Sequence, residues 1–175
     1  MKKIKIGVVG LGRLGRKHAE NVAFRIPNAE LLAVCSVIED EVKQVQQEWG
    51  VPYGYTDYYE MIKNKELDAV LIASPSGEHC KHLEAALDAG LHVWVEKPLA
   101  MRAFEVQEII EHRRDRIVVV GFKKAFMPVM EKAKEIVYSE KYGNLKSMLG
   151  IYPMSIPSNG EQVLKEGHYT NWLAN

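Results

Sequence analysis

A doubly wound α/β fold with a parallel sheet is what this 175-residue chain predicts, and three observations carry that prediction. The strand-like runs are short and continuously apolar, as strands covered on both faces must be. Amphipathic helical stretches, not hairpin turns, separate them. The first strand also runs into Gly10-x-Gly12-x-x-Gly15, a glycine-rich bend that opens the first helix.

The elements follow in order along the chain. Lys3–Val9 reads as a buried strand and Leu14–Arg25 as a helix that Pro27-Asn28 breaks. Glu30–Ser36 is the second strand. Glu39–Trp49 is a helix stopped by Gly50, with Pro52 just beyond. Tyr53–Tyr55 fits a short edge strand, and Asp57 is placed to cap a small helix over Tyr58–Asn64. Ala69–Ala73 is wholly apolar and reads as a strand. Gly77–Ala89 reads as a helix closed by Gly90, with Ser76 able to cap its start. Leu91–Val95 and Ile117–Val120 are strands on either side of the polar helix Arg102–Arg114. The alternation is complete near Gly121, which bounds a first domain at residues 1–121.

Residues 122–175 read as the beginning of a second, α+β domain, incomplete at Asn175. A helix over Val129–Ser139 leads to a turn at Tyr142-Gly143-Asn144 and a strand-like Leu145–Tyr152. A loop over Pro153–Gly160 and a stretch with helix formers and aromatics follow. An unfinished sheet would expose edges and an apolar face, so a partner chain or a homo-oligomer is expected.

Composition narrows the function classes. Lys plus Arg (23) balances Asp plus Glu (23), so no long-range field draws a nucleic acid. No apolar run reaches the roughly 18 residues of a membrane span, and Lys5 and Arg13 break any reading of the start as a signal segment. A cytoplasmic protein is expected. Cys35 and Cys80 lie inside apolar elements without a CxxC pattern, which predicts buried free thiols. His79, Cys80 and His82 sit too close on one helix to converge on a metal, so none is expected.

The Gly10–Gly15 bend is the strongest chemical signal. Gly10 permits a tight turn, Gly12 lets a pyrophosphate approach the backbone, and Gly15 lets the helix pack close to the sheet. The following helix aims N–H groups and its positive dipole end at the phosphate. Gly10, Leu11, Gly12, Arg13 and Leu14 are therefore candidate cofactor-binding residues of a Rossmann-type dinucleotide site.

Ligands of open α/β sheets bind beyond the carboxyl ends of the strands. Ser36 follows the second strand, about twenty residues past Gly15, where an acidic residue would hold the adenosine ribose. A serine there removes a repulsion against a 2′-phosphate, yet Glu39 and Asp40 disfavour one, and Arg13 or Arg16 could compensate. The balance leans to NAD and leaves NADP open. Ala73, Ser74, Pro75 and His79, after the next strand, could edge the cofactor. Glu96-Lys97-Pro98 closes the strand Leu91–Val95. The Lys97 ammonium is placed to reach a nicotinamide or a substrate hydroxyl and to stabilise alkoxide charge, which makes it the catalytic candidate, and Glu96 and Lys97 are also candidate cofactor-binding residues.

Gly10–Ala19, Asp68–Ser76, His79, Ala89–Ala100, Gly121-Phe122 and Tyr142–Leu145 together resemble the glucose–fructose oxidoreductase/inositol dehydrogenase/rhizopine-catabolism (Gfo/Idh/MocA) family over about residues 3–150. The Arg13–Glu20 run is most similar to inositol dehydrogenases. The resemblance implies NAD(P)-dependent hydride transfer at a carbinol carbon of a sugar or cyclic polyol. It places Lys97 near the reacting oxygen and expects a cis peptide bond at Pro98.

Three departures stand against that pattern. The family's catalytic aspartate and histidine belong to a second-domain helix beyond this length of chain, and His168 is not in a matching context. The 175 residues alone are therefore expected to bind dinucleotide weakly and turn over poorly, since a missing general base costs about 10²–10⁴-fold. After Gly121-Phe122, Lys124 can stand in for one basic contact, whereas Ala125 and Met127 abandon two polar positions. Ser36 replaces the usual acid. A non-enzymatic NAD(P)-responsive binding module is the alternative, pairing with another chain through its apolar 151–173 segment. A methyl-donor site also uses a glycine-rich turn, but Glu96-Lys97-Pro98 argues against it.

Overall fold

In the computed structural model, which describes residues 2–139 and 141–151, six strands form one parallel sheet. They are β1 (Ile4–Val9), β2 (Ala29–Cys35), β3 (Tyr53–Tyr55), β4 (Ala69–Ile72), β5 (His92–Val95) and β6 (Val118–Val120), in the order β3-β2-β1-β4-β5-β6. The helices between them are α1 (Arg13–Phe24), α2 (Glu39–Trp49), α3 (Tyr58–Met61), α4 (His79–Asp88) and α5 (Ala103–His112). The order reverses beside β1, so a crevice opens between the chains leaving β1 and β4, where such sheets take ligands.

Alternation along the strands sorts the core into two layers. Val8, Leu31, Val34 and Leu71 pack with Ala19 and Val22 of α1 and Val42 and Val45 of α2. Their neighbours Val9, Cys35, Val70 and Ile72 pack on the other face with Met61, Leu83, Ala86, Leu87 and Ile109. Each fully buried Val or Leu contributes about 1.5–3 kcal/mol, so a sheet with two such faces is held from both sides. This is the doubly wound arrangement that the sequence predicts.

Local signals explain most boundaries. Gly50 ends α2 in the left-handed conformation (φ 66°). The Asp57 carboxylate accepts from the Tyr59 and Glu60 N–H groups at 2.7 and 3.4 Å, capping α3. At α5, Glu105 reaches back to the Arg102 N–H at 2.9 Å.

Three local expectations need correction. The helix placed over Gly77–Ala89 is a 3₁₀ turn at Ser76–Glu78 followed by α4, and the Ser76 side chain makes no cap. Pro75, extended at ψ 143°, starts the turn instead, since proline already fixes the φ that the turn needs. α3 is a single turn ending at Met61. The strand expected at Leu145–Tyr152 is absent from residues 145–151, which have no regular structure.

The chain divides into two compact units, Met1–Gly121 and Phe122–Asn175. The second contains a 3₁₀ turn at Lys123–Phe126 and α6 (Pro128–Tyr138), with Pro128 in its first turn. The loop and helical stretch expected past residue 152, and His168, lie outside the described residues. No described helix is long and apolar enough to cross a membrane.

Candidate functional site

The site is built where backbone ladders run past the strand ends. Gly10 N–H donates to Cys35 O (2.9 Å), Ala73 N–H to Val9 O (2.9 Å), and Glu96 N–H to Ile72 O (2.9 Å). These bonds bring the chains leaving β1, β2, β4 and β5 into adjacent positions.

Two glycines make the first bend possible. Gly10 has φ +86°, and a Cβ there would sit 2.5 Å from Ala73 O. A Cβ on Gly15 would sit 1.7 Å from Gly10 O. No side chain larger than hydrogen fits either position without moving backbone. Gly12 differs, because a Cβ there would meet nothing within 4 Å and would project into open space. That open space at the start of α1 is the room a pyrophosphate needs. The helix start has no side-chain cap and no acidic residue in its first turn, so its N–H groups are left to a ligand. The bend therefore fits a dinucleotide.

A cleft of about 820 Å³ opens over this bend. Gly10, Leu11, Gly12, Arg13, Leu14, Ser36, Ala73, Ser74 and Pro75, all expected at the site, line it. Val37 and Ile38, 89% and 54% exposed, offer apolar surface at the β2 end. Burial holds the Cys35 thiol, also in the lining, up at about 12, so it stays protonated and unreactive. Cys80 is free too, but half-buried, not enclosed as expected, because it sits at the side of α4 near Glu84 (3.7 Å).

His79, Glu96 and Lys97 are not among the cleft-lining residues. His79 is buried (1% exposed), with Nδ1 2.6 Å from Pro98 O and Nε2 2.8 Å from Ser74 O. It ties the chain leaving β4 to the chain leaving β5. On the other side of Lys97, His18 of α1 meets Glu96 (Nε2 to Oε1, 3.0 Å) and packs tilted against Trp94 at 4.7 Å between ring centroids. The second Glu96 oxygen accepts from the Lys97 N–H at 3.1 Å. The Lys97–Pro98 peptide bond is cis, as the resemblance implies. Two histidines from two helices thus bracket a half-buried Lys97.

Other residues at the cleft were missed in the sequence. Glu41, from the first turn of α2, accepts from Ser36 Oγ at 2.5 Å. His82 also lines the cleft, with Nδ1 2.9 Å from Ser74 Oγ and its ring 4.2 Å from Tyr58. Burial lowers the His82 pKa and favours the neutral ring. Neither residue belongs to a glycine or strand-end motif. Among the described residues no group of three His, Cys, Asp or Glu could hold a metal.

A parallel sheet with a glycine-only bend, an open helix start and a crevice at the switch in strand order defines a dinucleotide-binding domain. The family model for Gfo/Idh/MocA proteins, an oxidoreductase family with an NAD-binding Rossmann fold, matches residues 4–123, and this chain belongs to that family. A myo-inositol 2-dehydrogenase of Thermotoga maritima is 37% identical over 142 residues, covering 80% of this chain and 42% of its own length. A D-xylose 1-dehydrogenase (NADP(+)) of Haloferax volcanii is 31% identical over 159 residues, or 90% of this chain and 48% of its own. Among solved structures, the Lactobacillus casei scyllo-inositol dehydrogenase with bound NAD(H) and scyllo-inositol superposes with a TM-score of 0.75 and 39% identity. The match covers 81% of this chain and 43% of that one. The chain therefore spans less than half the length of these relatives.

Proposed function

We propose that this chain supplies the cofactor-binding half of an NAD(P)-dependent dehydrogenase acting on a cyclic polyol or sugar, in the manner of the inositol dehydrogenases it is similar to. One observation carries the reading: an open glycine bend at β1 and a bracketed lysine at β5 belong to the same sheet edge, one strand apart across β4. The nicotinamide supplies hydride chemistry when bound. Gly10, Leu11, Gly12, Arg13 and Leu14 hold the diphosphate, Ser36 stands at the adenosine ribose, and Ala73, Ser74 and Pro75 form the far wall. Lys97 donates a hydrogen bond to the substrate oxygen and steadies its charge as the hydroxyl proton leaves. Glu96 and His79 act on Lys97 and Ser74 through the backbone they hold.

Taken alone, the 175 residues hold the cofactor and turn over polyol slowly, because the resemblance assigns the general base to a second-domain helix. Substrate contacts and a homo-oligomeric interface belong to residues 122–175 and their continuation in the relatives. The two free thiols go with a cytoplasmic setting.

Titration of the chain with NADH, followed by nicotinamide fluorescence, tests the reading. Saturable enhancement that NAD competes away is expected, and no response at millimolar NADH overturns it. Adding myo-inositol and NAD then separates the enzyme reading from a purely NAD(P)-responsive module. Robust reduction of NAD by the 175 residues would contradict the assignment of the base to a second domain.

A further inference from the structure

The relatives do not decide between the two nicotinamide cofactors: one is named for NADP(+), and another holds NAD(H). The decision rests with this chain's own residues at the β2 end of the cleft, and the following rests on the dinucleotide reading above. We infer that Glu41, tethered by Ser36, is the cofactor-discriminating residue, taking the place of the acid missing at the strand end and rejecting a 2′-phosphate.

Hydrogen-bond accounting leads to this assignment. The Ser36 hydroxyl has one proton. It is donated to Glu41 Oε2 at 2.5 Å, while the same oxygen accepts the Ile38 N–H at 3.2 Å. Ser36 is 6% exposed, so its oxygen is committed inside the protein. It has no proton left for a ribose or phosphate oxygen. The serine's task is to aim a carboxylate. Glu41 is half-buried in the first turn of α2 and lines the cleft. Its carboxylate keeps lone pairs that can accept ribose O–H groups.

A 2′-phosphate reverses every term. It removes the hydroxyl donor and adds about −1.5 to −2 charges beside a carboxylate. The surroundings do not compensate. Glu39 and Asp40 share the same turn. The cleft lining contains three carboxylates, Glu41, Asp57 and Glu78, against one guanidinium, Arg13. Arg16, the other sequence candidate for phosphate, is drawn to Glu48 and lies over the Trp49 ring at 5.1 Å. At a partly buried site such charges are weakly screened.

The test uses the 175-residue chain with NADH and NADPH, and with adenosine 5′-monophosphate and adenosine 2′,5′-bisphosphate as competitors that report the ribose end alone. The wild type should bind NADH about 30-fold or more tighter than NADPH, a gap of about 2 kcal/mol. Glu41→Gln keeps an acceptor for Ser36 and removes the charge. It should tighten NADPH and the bisphosphate and shrink the gap about tenfold. Ser36→Ala leaves the charge but frees the side chain, and should weaken NADH several-fold while NADPH stays excluded. Circular dichroism confirms that each variant is folded. If both nucleotides bind and Glu41→Gln leaves their ratio unchanged, this assignment is overturned and the dinucleotide reading stands. A wild type preferring NADPH overturns it equally. If neither nucleotide binds the wild type, the dinucleotide reading falls, and this inference with it.

Discussion

At the carboxyl end of β1 the protein makes its site out of missing side chains, whereas at the carboxyl end of β5 it makes it out of side chains held by distant partners. The β1 bend needs hydrogen at Gly10 and Gly15 because backbone lies 2.5 and 1.7 Å from where a Cβ would be. The β5 end instead depends on His18, 78 residues away from Glu96, and on His79, 19 residues away from Pro98. The first region tolerates no added atom at Gly10 or Gly15, and the second depends on atoms that distant partners supply. A phosphate is bound by repeated backbone N–H groups, which need only room. A reacting oxygen needs one charge at one place, which only a braced side chain supplies.

The largest effect should come from adding an atom to the first region. Gly15→Ala must displace the Gly10 carbonyl or shift α1, costing on the order of 3 kcal/mol or more. Urea unfolding should show that loss, with NADH binding abolished. Removing atoms from the second region should cost slightly less. His79→Ala leaves the Ser74 and Pro98 carbonyls without their partner and opens a buried cavity, at about 2–4 kcal/mol. His79→Asn should recover part of it if one carbonyl is rebonded. An unchanged urea midpoint for His79→Ala would remove the bracing half of the comparison.

His18→Ala comes next. It strips a half-buried Glu96 of one partner and should cost about 1 kcal/mol. It should leave NADH affinity within about threefold, because α1 keeps its open N-terminus. The sharper readout is the Lys97 amide resonance, which should move in His18→Ala because the Lys97 N–H donates to the Glu96 carboxylate that His18 holds.

The smallest effect is a pH dependence between the two regions. The His82 pKa is lowered in the fold by burial. Below its ordinary value, 6.5, the unfolded chain therefore takes up the proton first. This contribution is complete above about pH 6.5 and shrinks as pH falls through the window down to the lowered folded value. Stability should decline modestly from pH 7 to pH 5, and His82→Gln should flatten that slope. A slope that survives the substitution would assign it elsewhere.

The same contrast explains what could be read from the sequence alone. The glycine bend was legible because exclusion of side chains leaves a sequence mark at fixed spacing. The sheet was legible because β4 and β5 are apolar runs bounded by polar helices, and Gly50 marks the end of α2. Lys97 could be singled out as a lysine at a strand end, but the pairing of His18 with Glu96 could not, since neither periodicity nor spacing links α1 to β5. Glu41 was hidden for a related reason. Glu39 and Asp40 are visible in the sequence as charges near the end of β2, whereas Glu41 reaches the site from the same turn of α2 through a hydrogen bond with Ser36 that no spacing announces. Leu145–Tyr152 has a strand's composition, yet residues 145–151 pair with no strand in the described residues. Composition alone does not supply a ladder partner.

The central claim is that one nucleotide spans both regions, and amide resonance mapping of the chain during an NADH titration tests it most directly. The account predicts that the Leu11–Gly15 amides and the Lys97 amide shift together, along one saturation curve. Shifts confined to other parts of the sheet, or a Lys97 amide that stays fixed while the bend saturates, would contradict it.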